Sequence, residues 1–127
     1  MTTSRTISAM ISLVGFIAAS PASLADGPGA IATAAQHAGL AAAAEDLAGA
    51  TRHLHHTLNC LVGPDGVGFD AAAGNPCNDA GGAIPQTSDT ATRGMLEDTA
   101  MKLREALGDG DLAVVKEAAM SAQQTLE

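Results

Sequence analysis

Tryptophan and tyrosine are absent from this sequence, and phenylalanine occurs only twice. A chain so poor in aromatic side chains offers no platform on which unpaired bases could stack. Basic residues are scarce as well: six Lys and Arg stand against 14 Asp and Glu, for a formal net charge of −8. That balance repels phosphate backbones and anionic lipid, so nucleic acid is not expected as a partner. The motifs that usually announce catalysis are missing too: there is no G-x-x-x-x-G-K-[ST], no H-E-x-x-H and no Ser-His-Asp spacing. Neither C-x-x-C-H, for covalent haem, nor Glu-x-x-His, for a dinuclear carboxylate centre, occurs. The sequence therefore argues for a protein that is not an enzyme.

The first 25 residues read as an address. Arg5 supplies positive charge, Ile7 to Ala19 form a weakly polar to apolar run, Pro21 breaks it, and Ser23-Leu24-Ala25 places small residues where a signal peptidase cuts. A lone membrane anchor is the competing reading, but the run is shorter than the ~20 apolar residues a bilayer needs. Residues 1–25 are thus expected to be a signal peptide, and the mature chain to be periplasmic or secreted with no membrane contact. Residues 26–127 then suffice for a single small domain. Of its aromatics only Phe69 remains. Export also decides how the two cysteines are read: in an oxidising compartment Cys60 and Cys77 are expected to form a disulfide, contributing on the order of 3 kcal/mol by the chain-entropy estimate.

Alanine dominates residues 30–44, which favours a helix but says little about which side faces inward. Asp46 can cap a second helix opening at Leu47, in which Leu47, Ala50, Leu54, Leu58 and Leu61 recur at three- and four-residue steps. Gly63-Pro64 ends it. Residues 63–86, GPDGVGFDAAAGNPCNDAGGAIPQ, lack a helical period and predict a long loop tied down by the disulfide. Asp65, Asp70, Asn75 and Asp79 within it do not follow the calcium-loop spacing and read as ordinary turn residues. Thr87-Ser88-Asp89 offers caps for a third helix bearing Leu96, Ala100, Leu103 and Leu107, and Asp111 caps a fourth bearing Leu112, Val115, Ala119, Ala122 and Leu126. Asp46-Leu47-Ala48 recurs as Asp111-Leu112-Ala113, a faint internal echo. The expected fold is all-α: a small antiparallel four-helix bundle built from two helical hairpins joined by the disulfide-tied loop.

Three of the four histidines fall in HLHHTLNC, residues 53–60. With Leu54 at the centre of the core face and ~100° per residue, Leu47, Leu58 and Leu61 stay within roughly 40° of it. His53, His56 and Cys60 gather on one flank, and His55 goes to the other. His53 and His56, three apart, are neighbours able to share one ion. A turn centred near residue 45 returns the first helix antiparallel and brings His37 level with His53. Three imidazoles could then converge on copper, zinc or nickel, leaving a fourth position open. Met95, Met101 and Met120 are expected to fill core or flank rather than to ligate. Glu97, Asp98 and Glu105 read as a solvated face, and His55 as a surface residue within reach of Asn59.

The function so indicated is an exported metal carrier, buffer or sensor using His37, His53 and His56. Because only neutral imidazole ligates, its affinity should fall as pH drops through ~6.5. The alternatives are a structural or protein-interaction module, with Phe69 of the 63–86 loop as the anchor for a protein partner, and a non-covalent haem binder. For Phe69 the plainer expectation is that its ring folds the loop onto the bundle.

Overall fold

In the computed structural model, which describes residues 27–78 and 81–127, the chain is all-helical, with no strand among the described residues. The expected export segment and Asp79 lie outside those residues. Helix α1 spans Gly27–Ala43, α2 Leu47–Val62, a short α3 Ala83–Gln86, α4 Thr90–Asp109 and α5 Leu112–Leu126. Helix α1 packs on α2 and α5, α4 packs on α5 and α2, and α2 meets α5 across the core; α3 rests against α1, α2 and α4.

The helix ends follow their capping chemistry. Asp46 accepts a hydrogen bond from the Gly49 amide at 2.7 Å, Asp89 from Thr92 at 2.8 Å, and Asp111 from Ala113 and Val114 at 2.9 and 3.2 Å. Each satisfies a first-turn N–H that the helix itself leaves unpaired. At the other end of α1, Lys116 Nζ donates to the Ala44 carbonyl at 2.9 Å, so a cation from α5 meets the negative end of the helix.

Packing supplies the facing that the alanines of α1 do not declare. Ala30, Ala34, Ala38 and Ala41 are fully buried, which makes one smooth stripe at helical spacing. Against it and the opposing helices lie Leu54, Leu58, Leu61, Leu96, Leu103 and Val115, all at most 1% exposed. Leu47 departs from the expected stripe: it is 39% exposed, because it opens α2 at the margin of the core. Met95, Met101 and Met120 are exposed by 38%, 44% and 49% and fill no core position, since alanine and leucine already occupy the inward faces of α4 and α5.

The described residues of segment 63–86 hold more regular structure than its composition predicts. They include a 3-10 turn at Ala71–Ala73 and the helix α3. Cys60 and Cys77 are joined by a disulfide, with Cα atoms 5.4 Å apart. At the mouth of the segment two glycines let backbones meet: a Cβ on Gly63, whose φ is +75°, would come within 2.4 Å of the Gly82 amide nitrogen. Phe69 is half-buried and packs against the core, so its ring folds the segment down instead of projecting outward.

Leu54 makes the importance of this core measurable. Leu54→Ala is expected to cost about 2–5 kcal/mol, from lost transfer energy and the cavity left behind. Urea titration should show a lower midpoint with the slope preserved; an unchanged midpoint would contradict the packing described.

Candidate metal centre

The alanine stripe determines how close α1 and α2 can come. With methyl groups at the interface the helices approach until Thr57 Oγ1, fully buried on α2, lies 3.3 Å from the Ala34 carbonyl of α1 while also donating to His53 at 3.1 Å. The turn between Ala43 and Leu47 is centred at residue 45, so antiparallel register sets His37 against His53 and His56.

There the three rings meet, each half-buried. His37 Nδ1 lies 3.3 Å from His53 Nδ1 and 3.3 Å from His56 Nδ1. One ring nitrogen from each residue falls within 4.8 Å of the other two. The planes of His37 and His53 are inclined by 30°, and His56 stands at 88° to His37. A group of three nitrogens, each able to present a lone pair to one point, is a donor set for a borderline transition metal. Among the described residues no Asp or Glu joins this group, and Glu97, Asp98 and Glu105 are exposed on α4.

The electrostatics disfavour protons there. Burial lowers the pKa of His37 below its ordinary 6.5, and the neighbouring His56 and His53 lower it further. His53 is lowered likewise, by burial first, then by His56 and by the Arg52 guanidinium. Desolvation and like charge both oppose the imidazolium, so these rings stay neutral, and able to ligate, to lower pH than a free histidine.

A sheath covers the outer side of α2. His56 Nε2 lies 2.6 Å from the Ala73 carbonyl oxygen. Asn59, fully buried, donates from Nδ2 to the carbonyls of Asp70 and Gly74 at 2.8 and 2.7 Å, and its Oδ1 accepts from the Asp70 amide at 2.9 Å. Sequence reasoning missed this asparagine, which lies far from the leucine stripe and was expected to do no more than bond His55. An asparagine on a supposed wet face, ahead of a cysteine tied to a distant loop, was the available signal. His55 is also not a free surface residue: its side chain is 24% exposed, with Nδ1 3.8 Å from an Asp70 carboxylate oxygen, because the 70–77 loop folds over that flank.

Compared with models of known protein families, with curated proteins and with solved structures, the chain matches none.

The lowered histidines have a consequence for stability. The folded chain binds protons at His37 and His53 less readily than the unfolded chain does, so the unfolded state gains protons first on acidification. The stability of the metal-free protein should be unaffected by these groups above pH 6.5, and should fall as pH drops below 6.5 through the depressed folded values. Denaturation midpoints between pH 8 and pH 5 are expected to show this acid limb, and His37→Gln with His53→Gln to flatten it; an equally steep limb in the double variant would refute the assignment.

Proposed function

We propose that this protein binds one divalent transition metal through His37, His53 and His56, and serves as an exported metal carrier, buffer or sensor. The observation that carries the reading is the approach of two Nδ1 atoms to a third at 3.3 Å each. Neutral imidazoles have only one N–H apiece, so three nitrogens gathered at one point gain more from a shared cation than from hydrogen bonds among themselves.

Three imidazole nitrogens suit zinc, copper and nickel, and the proposed ion is one of these. Three protein ligands leave the fourth position to water or to a donor from a receiving molecule, an arrangement suited to handing a metal on.

We read the protein as a binder and not as an enzyme. A hydrolytic metal centre needs a general base close to the bound water; among the described residues no carboxylate joins the three histidines, and Glu97, Asp98 and Glu105 on α4 are exposed. Haem is disfavoured by the same convergence, since axial imidazoles must face each other across a macrocycle. Docking through Phe69 is disfavoured by its packing against the core. The disulfide, with no free cysteine among the described residues, supports an oxidising compartment and hence export to the periplasm or beyond. The helical arrangement is read as a four-helix bundle of two hairpins with the metal held between the first two helices.

Native mass spectrometry of the protein from its own compartment is expected to show one metal ion per chain, and calorimetric titration with zinc, copper and nickel to show tight binding of at least one of them. The His53→Ala, His56→Ala variant should lose at least 100-fold in zinc affinity while keeping its helical content. Equal binding by the variant, or no uptake by the parent at any of the three metals, would overturn the reading.

A further inference from the structure

The geometry points to Asn59 as a positioning residue: together with the Cys60–Cys77 disulfide, it holds the Ala73 carbonyl where that carbonyl fixes His56 with Nδ1 turned to the metal centre. The inference rests on the metal-binding reading above for its purpose, but its structural basis is separate.

A carbonyl oxygen only accepts hydrogen bonds, so at 2.6 Å from Ala73 the His56 Nε2 carries the hydrogen. A neutral ring protonated at Nε2 has its lone pair on Nδ1, the atom 3.3 Å from His37 Nδ1. Metal-bound histidines generally donate their second ring N–H to a carboxylate or a backbone carbonyl, which sets both tautomer and ring orientation. Ala73 supplies that acceptor to His56.

An acceptor on a loop is useful only if the loop is held. Here it is bracketed. On the chain before Ala73, Asn59 binds both the amide and the carbonyl of Asp70; immediately after it, Asn59 binds the carbonyl of Gly74. Three residues further on, the buried Cys77 is joined to Cys60, the neighbour of Asn59 in α2. The Asp70 carboxylate caps the 3-10 turn by accepting from the Ala72 amide at 2.9 Å. Gly74 adopts φ +91°, open to glycine but strained for other residues, and a Cβ there would sit 3.5 Å from His56 Nε2. Consecutive residues of α2 thus grip both ends of a short loop whose middle carbonyl meets a ligand one turn earlier on the same helix. His56 is oriented from its own helix by way of the loop.

The test reads the tautomer directly, without metal. Long-range ¹⁵N–¹H spectra of the apo protein at pH 8 are expected to show His56 as a single Nε2–H tautomer. In Asn59→Ala it should become a mixture, and zinc affinity should fall about 10–100-fold, the usual effect of removing such outer support. Leu54→Ala serves as the control: Leu54 is a core residue outside the hydrogen bonds and the disulfide that hold the loop, so the variant's tautomer and zinc affinity should match the parent. If Asn59→Ala does not fold, Cys60→Ser with Cys77→Ser takes its place with the same expectations. His56 found as Nδ1–H in the parent, or a loop variant that keeps both the Nε2–H tautomer and the parental zinc affinity, would overturn the inference. Zinc titration of the parent is scored separately: a locked Nε2–H tautomer in a parent that takes up no zinc would sink the metal reading and leave the clamp on His56 standing.

Discussion

The close approach of α1 and α2 over a stripe of alanines is the constraint on which the molecule depends. Methyl groups at Ala30, Ala34, Ala38 and Ala41 leave no bulk to hold the helices apart. Larger side chains at those positions would widen the interface and draw His37 away from α2. The same closeness lets Thr57 bridge to the Ala34 backbone within the buried interface, one turn from the histidines. Alanine brings strong helix propensity at little side-chain entropy cost, but it buries little area; the leucines of α2 and α4 supply the apolar burial that α1 lacks.

Helix α2 is consequently covered on two sides that have different tasks. Its leucines face the core. Its other side, bearing His56, Asn59 and Cys60, is covered by the 70–77 loop, whose polar backbone would be costly to bury without partners. Asn59 satisfies three of those groups at once, and the disulfide lowers the entropic cost of keeping the loop closed. The three clustered histidines sit at the seam between the two sides, half-buried and reachable from solvent, where burial lowers the pKa of His37 and His53.

Much of this was legible beforehand. The helix-capping aspartates Asp46, Asp89 and Asp111 announce their helices because a short carboxylate beside unpaired amides has few competing uses. The convergence of His37 with His53 and His56 followed from arithmetic, since an antiparallel turn centred at residue 45 pairs positions symmetrically about it. The cysteine pairing followed from reading the chain as exported, where its two cysteines are expected to join. Of the two places expected for Met95, Met101 and Met120, core or flank, their exposure excludes the core; periodicity in helices rich in alanine leaves several faces nearly equivalent. The roles of Asn59 and Ala73 were invisible, since one is read as a polar surface residue and the other acts only through its backbone.

What the sequence by itself determined is local or symmetric: where the helices begin and end, which cysteines pair, and which histidines an antiparallel hairpin must bring together. What only the tertiary structure decided is how the glycine-rich segment folds back over α2, which histidine nitrogen turns inward, and which backbone carbonyl meets the other. Those outcomes depend on contacts between residues 11 to 17 apart along a chain with no repeating pattern. Periodicity carries information only where the backbone repeats, and a loop fixed by hydrogen bonds and one cross-link does not repeat.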